Sequence, residues 1–220
     1  KHTDDRFEEA EILDEIIPLY IELDDNEAAF KAACRQFDID AERSEIWLRL
    51  EQLGAGLNRW AEIEEIFGRH APTDASASGT QFDLLRHLAA IREYQLGMQE
   101  EALEAWELLY EHDPLDLAHV EALHRLYSAL GKHEKLVEIL CAKAEIVDEP
   151  DERVELLSTA ARICDDVLAD TTRTIDILQK LLSFEPDHKP SIDSLRRLYR
   201  QEELYQDLAD LLRDRSDAIS

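Results

Sequence analysis

The chain has 220 residues, of which 51 are Asp or Glu and 24 Lys or Arg, a formal net charge of −27. So acidic a surface repels phosphate backbones and anionic lipid, which argues against nucleic acid and membrane insertion and favours basic protein partners. Gly and Pro number only six each and the hydrophobic fraction is 45%, a composition that points to an ordered, all-helical fold rather than strands or disorder.

In chain order, Ile12, Leu13, Ile16, Ile17 and Tyr20 recur at spacings of three and four and predict a first helix with an apolar stripe. Pro18 lies inside it and is expected to kink or loosen it, because proline lacks the amide donor. Asp24-Asp25-Asn26 then ends this helix and caps the next. Ser44, Asp113, Thr171 or Thr172, and Ser191 are the further N-cap candidates.

Residues 83–150 read as two helical hairpins of about 34 residues with one punctuation. In the first, Gly97 turns the chain, Ala102 and Trp106 lie on the second helix, and His112-Asp113-Pro114 ends it. In the second, Leu123 and Tyr127 precede a Gly131 turn, Leu136 and Leu140 follow, and Pro150 closes the unit. Leu123, Arg125, Leu126, Tyr127, Leu136 and Leu140 recur about 72 residues later as Leu195, Arg197, Leu198, Tyr199, Leu208 and Leu212. An upstream copy lies at an offset of about 73: Leu50, Leu53, Ile63, Ile66 and Phe67 fall on Leu123, Leu126, Leu136, Ile139 and Leu140.

The repeat divides the chain into hairpins at 10–43, 44–77, 83–116, 117–150, 155–188 and 189–220, with insertions at 78–82 and 151–154 that read as loops. The first insertion belongs to the Pro72-to-Thr80 stretch with Ser76, Ser78 and Gly79, and the second follows Asp148-Glu149-Pro150. A fixed period with one hairpin per period is the pattern of a helical solenoid.

These residues resemble the tetratricopeptide repeat (TPR) over residues 7–213. Gly97, Ala102, Trp106 and Pro114 match its turn glycine, small crossing residue, aromatic and terminal proline. Trp47 matches its early tryptophan; Tyr20, Tyr127 and Tyr199 its first-helix tyrosine; and Gly131 its turn glycine. The hairpins starting near 44, 117 and 189 depart from it, with Ile63, Leu136 and Leu208 where the family prefers alanine. Branched side chains there are expected to spread the two helices. The alternation is similar to long TPR arrays of some large bacterial proteins. The resemblance implies an all-α, right-handed α-solenoid of about six TPR-like hairpins, about twelve helices, running as one domain over 1–220. Because the chain opens on Lys1, it is expected to be a fragment of a longer one.

Three cysteines, Cys34, Cys141 and Cys164, lie in apolar helical patterns without motif spacing. They read as buried free thiols, which favours a cytoplasmic location, with an upstream targeting segment left open. His119 and His124 are spaced wrongly for one helical face, there is no HExxH, and the acidic loop at 148–152 lacks the pattern of an EF-hand, so no metal is expected. GxSxG, Walker and GxGxxG sequences are absent, and no cofactor or catalytic constellation is expected.

The family's first helices line a concave groove that holds peptides or helices of partner proteins. Carried over by position, this nominates His87, Ile91, Tyr94, Glu121, Arg125, Asp193, Arg197 and Arg200, with Leu48 and Gln52 as earlier counterparts. Arg125 and Arg197 share one repeat position, where an arginine fork suits a carboxylate; the competing reading pairs them with Glu121 and Asp193 one turn away. The lysine–asparagine clamp of chaperone-binding members has no counterpart at the matching positions. The expected function is a scaffold for a protein or peptide partner. The alternatives are a spacer or self-association module within a larger protein, or an all-helical enzyme domain, which an apolar pocket with perturbed carboxylates would mark.

Overall fold

The computed structural model describes residues 2–74 and 76–219. Among them are twelve α-helices, two π-helical segments and no strand. The helices fall into two compact units, Lys1–Asp113 and Pro114–Ser220.

Unit one contains α1 (His2–Glu22), α2 (Asn26–Ile39), α3 (Ser44–Leu57), α4 (Trp60–Gly68), α5 (Gly79–Ala90) and α6 (Gln99–His112). Unit two contains α7 (Leu117–Ala129), α8 (His133–Ile146), α9 (Pro150–Ile163), α10 (Thr171–Phe184), α11 (Lys189–Gln201) and α12 (Tyr205–Ile219). Consecutive helices pair as six hairpins, three per unit, and α1 continues through Pro18 with Ile17 fully buried beside it.

The two insertions are helical, which corrects the reading of them as loops. Residues 79–82 form the first turn of α5 and 151–154 that of α9. Ser78 starts α5 with a capping box: its hydroxyl accepts from Gln81 N–H while the Gln81 side chain accepts from Ser78 N–H at 3.0 Å. Pro150 opens α9 instead of closing the previous hairpin, at a position where the missing amide has no intrahelical partner to lose. The extra length is taken up at the far end of each helix, where α5 runs into the π-helical segment Ile91–Leu96 and α9 into Cys164–Leu168. Widened turns of this kind accommodate inserted residues without breaking the helix.

Four N-cap expectations also move. Arg43, Asp116, Asp170 and His188 precede the helices in place of Ser44, Asp113, Thr171 and Ser191. Asp116 accepts from Ala118 N–H at 2.9 Å and Asp170 from Arg173 N–H at 3.0 Å, so an aspartate slightly upstream or downstream of the expected residue does the capping. Asp25 caps α2 as expected, accepting from Ala28 N–H at 3.0 Å.

Every hairpin turn contains one residue in the left-handed region: Asp24 (φ 57°), Asn58 (55°), Gly97 (67°), Gly131 (65°), Ala169 (52°) and Glu203 (58°). At Asp24 and Glu203 the following amides reach back to Tyr20 O (2.9 Å) and Tyr199 O (2.8 Å), closing the helix C-terminus as a Schellman turn. Ala169 and Glu203 occupy the repeat positions of Gly97 and Gly131 but carry a Cβ that this conformation disfavours. Ala169→Gly and Glu203→Gly are therefore expected to raise stability by up to about 1 kcal/mol each, the relieved strain exceeding the added freedom of the unfolded chain. Urea denaturation of the single variants checks this, and a lowered midpoint contradicts it.

The cores are aliphatic with aromatic joints. Phe37 stacks on Phe67 with ring centroids 5.2 Å apart, and Trp47 is buried with its indole N–H donating to Ala41 O at 2.8 Å. Ala102 is fully buried on α6. At Ile63 the small residue lies on the partner helix: a Cβ built on Gly54 of α3 would stand 2.2 Å from Ile63 Cδ1, so the glycine makes room for the branched side chain.

Candidate functional site

Of the nominated residues, His87, Ile91 and Tyr94 lie in unit one. His87 on α5 is half-buried, with Nδ1 2.6 Å from Glu51 Oε1 on α3 and its ring 5.6 Å from that of Trp47. Ile91, the first residue of the π-helical segment, is buried at 4% exposure; its side chain belongs to the core and offers no surface. Tyr94 is exposed, as are Leu48 and Gln52 on α3.

An ionic network joins the earlier helices of this unit. Arg43 donates to Asp14 Oδ2 at 2.6 Å, and Arg49 donates to Asp14 Oδ1 at 3.3 Å and to Gln36 Oε1 at 2.9 Å. Burial alone would raise the Asp14 pKa; the hydrogen bonds of Arg43, Gln36 and Arg49 outweigh it and hold the carboxyl below its ordinary value. Arg92 in the π-helical segment meets Glu64 of α4, Nε to Oε1, at 2.9 Å.

In unit two, Glu121 on α7 lies 3.5 Å from Lys143 Nζ, which is also 3.1 Å from Glu152. Arg125 is exposed on the same helix. Burial first and Lys143 second push the His124 pKa below its ordinary value, favouring a neutral imidazole. On α11, Arg197 does not pair with Asp193. It donates to Asp165 in the π-helical segment after α9 and to Gln201 Oε1 at 3.1 Å, while Asp193 is bound by Arg196 at 3.4 Å. Arg200 is exposed and makes no ion pair among the described residues.

Beside the Arg197–Asp165 pair runs a groove of about 220 Å³, lined by Ser158, Arg162, Asp166, Leu178, Pro190 and Ser194 among others and mostly through apolar atoms. Asp165 is the residue that sequence reasoning missed. It stands 32 residues before Arg197, in another hairpin. Only the π-helical widening, which no local pattern announces, sets its register.

A larger groove lies elsewhere, on α1 and α2. It measures about 750 Å³ and is lined by Ile12, Ile16, Tyr20, Ala28, Ala32 and Arg35 among others. Its α1 residues are those that the apolar spacing marks as a stripe for a neighbouring helix.

The three thiols are free; Cys164 is buried and the other two half-buried. Burial, with Glu62 and Asp38 adding, pushes the Cys34 thiol up to about 12, and burial raises Cys141 and Cys164 as well, so none is primed as a thiolate. Among the described residues no cluster of three or more His, Cys, Asp or Glu side chains is arranged to hold a metal ion, and no helix is long and apolar enough to cross a membrane.

No family model matches the sequence, and no curated protein matches it. Solved structures do. A chain in the structure of Naa15/Naa10 bound to HypK-THB aligns with a TM-score of 0.54 at 15% identity, over 95% of this chain and 32% of that one. A tetratricopeptide repeat protein from Parabacteroides merdae ATCC 43184 aligns at 0.47 and 12% identity, over 94% and 78% of the two chains. YrrB, a TPR protein with an unusual peptide-binding site, aligns at 0.44 and 14% identity, over 82% and 88%. At these identities the similarity concerns the fold alone: the chain is all-α, built of paired helices, and shares that fold with the chain of the Naa15/Naa10 complex.

Proposed function

We propose that this chain is a protein-interaction scaffold whose first-helix faces receive a peptide or helix of a partner protein. The observation that carries the reading is that successive first helices are tied by exposed or half-exposed polar side-chain pairs within each unit: Asp14 with Arg49, Glu51 with His87, and Asp165 with Arg197. Such pairs hold the helices in register, yet a ligand group can replace one partner at small cost because the pair is solvated. The Asp14 carboxyl is held below its ordinary value rather than above it, which favours a binding surface over an enzymatic site.

The ligand element is a carboxylate, at a peptide C-terminus or on an acidic side chain. A chain of net charge −27 repels acidic ligands over most of its surface, so an exposed guanidinium selects where one docks. Arg197 has donors beyond those given to Asp165 and Gln201, and Arg125 holds the same repeat position on α7. Within unit two Arg200 extends the α11 face, with Glu121 and Asp193 as acids for a basic group on the ligand; in unit one, His87 and Tyr94 stand on the corresponding first-helix side.

The test is selection of peptides from a random library against the intact chain, followed by titration into the Arg125→Ala/Arg197→Ala double variant. Binding is expected to weaken by about 1–3 kcal/mol for each charged hydrogen bond lost, with helicity unchanged. Equal affinity for the double variant would remove the arginines from the site.

A further inference from the structure

We infer that the groove beside the Arg197–Asp165 pair is a pocket for the last residue of a partner peptide, its bulky apolar side chain in the groove and its terminal carboxylate on Arg162 and Arg197. Such a pocket rests on the scaffold reading above and narrows its ligand to a C-terminal apolar residue. At about 220 Å³ the space is below the roughly 300–1,000 Å³ of a site that encloses a small-molecule ligand, and it suits one side chain of leucine or phenylalanine size. Its floor is the buried Ala161, Thr174, Leu178 and Ser191. The hydroxyls there are already engaged: Thr174 Oγ1 donates to Asp170 O at 2.8 Å, and Ser191 Oγ lies 2.8 Å from His188 Nδ1. What the floor offers a ligand is apolar surface, which favours a hydrocarbon group over a polar one.

The space is written into the sequence. The turn residues Asp24 and Ala169, and the caps Asp25 and Asp170, align the sequences of the two units. In that alignment Ser158 and Ser191 stand where unit one has the buried Leu13 and Ile46, so two serines replace branched aliphatic side chains. Thr174 and Leu178 are larger than their counterparts Ala29 and Ala33, and they give the opened space its floor. Arg162 replaces Ile17, which is fully buried in unit one, and so puts a charge at the rim.

The rim charges distinguish the end of a peptide from other carboxylates. Asp165 is engaged by Arg197, and Asp193 by Arg196. Arg162 and Asp166, four residues apart, are exposed and make no ion pair or hydrogen bond among the described residues. A last residue complements that pair: its carboxylate accepts from Arg162 and from the Arg197 donors not given to Asp165 and Gln201, and its N–H donates to Asp166. An acidic residue within a longer peptide carries the carboxylate on its own side chain, which leaves nothing of that residue to fill the pocket.

The test is titration of fluorescein-labelled hexapeptide pools into the whole chain, each with five mixed positions, one fixed last residue and a free or amidated end. The free-acid pool ending in leucine is expected to bind about tenfold or more tighter than the one ending in glycine, from burial of the side chain. It is also expected to bind about tenfold tighter than its own amide, from the charged hydrogen bonds. Ser158→Leu, at a half-buried position, fills the pocket with the residue type of Leu13. It is expected to erase the leucine-over-glycine preference and keep the acid-over-amide preference, whereas Arg162→Gln is expected to lower the second and keep the first. Equal binding of the leucine and glycine pools overturns the pocket on the parent chain alone, whatever the fold of the variants, and leaves the scaffold reading standing. Equal binding of acid and amide overturns the C-terminal occupant, as does free leucine displacing the pool at the pool's own concentration. No binding by any free-acid pool overturns the inference; the scaffold reading falls with it only if the random library also yields no ligand.

Discussion

Replacing Arg153 with alanine is expected to lower the stability of unit two by about 2–4 kcal/mol, since hydrogen bonds from a charged donor contribute roughly 1.5–3 kcal/mol each. The Arg153 guanidinium donates through Nε to Ala144 O at 2.9 Å and through Nη2 to Val147 O at 2.6 Å. It also lies 4.7 Å from the centroid of the Phe184 ring on α10. One side chain thus satisfies carbonyls at the end of α8, complements the negative end of that helix, and ties α8, α9 and α10 together. Arg153→Lys keeps the charge without the planar fork and should fall between the parent and the alanine variant. Urea denaturation followed by circular dichroism reads both, and an unchanged midpoint for the alanine variant would show that solvent serves the α8 carbonyls equally well.

Enlarging Ala102 to leucine is expected to cost about 1–3 kcal/mol by overpacking. Ala102 has no exposed surface and sits on α6 among the buried Leu103, Ala105, Trp106 and Leu109. The exposed Glu104 on the same helix provides the control: Glu104→Leu should leave the midpoint within experimental scatter. Equal effects at the two positions would mean that the repeat alignment places the wrong residue at the crossing.

The hairpins are legible in the sequence because their signal is redundant. Apolar spacing, the Gly97 and Gly131 turns, and the agreement of copies about 72 residues apart all report one architecture, and the twelve helices follow it. Two features lie outside that reach. The left-handed residues at Ala169 and Glu203 carry no local mark, because tertiary pairing of the helices imposes the turn on whatever residue stands there; only their alignment with glycines exposes them. The helical insertions escape a local reading because the small polar residues of 76–80 suit a loop and a helix cap equally, and Ser78 with Gln81 resolves them as a cap.

The candidate site is legible in its positions and opaque in its partners. Arg197 is exposed on a first helix, as its place in the repeat suggests, yet the carboxylate that binds it comes from another hairpin rather than from Asp193 one turn away. Ile91 shows the opposite failure. The position is right for the face in a regular helix, but the π-helical segment begins there and the side chain is buried.

The most direct measurement of the scaffold reading is mapping of a library-selected, carboxylate-bearing peptide onto the chain by backbone amide chemical shifts. Perturbations are expected to concentrate on α7, α11 and the segment around Asp165, with Arg125 and Arg197 among the most affected and little change on α8, α10 and α12. Perturbations confined to those second helices, or no peptide that binds at all, would contradict it.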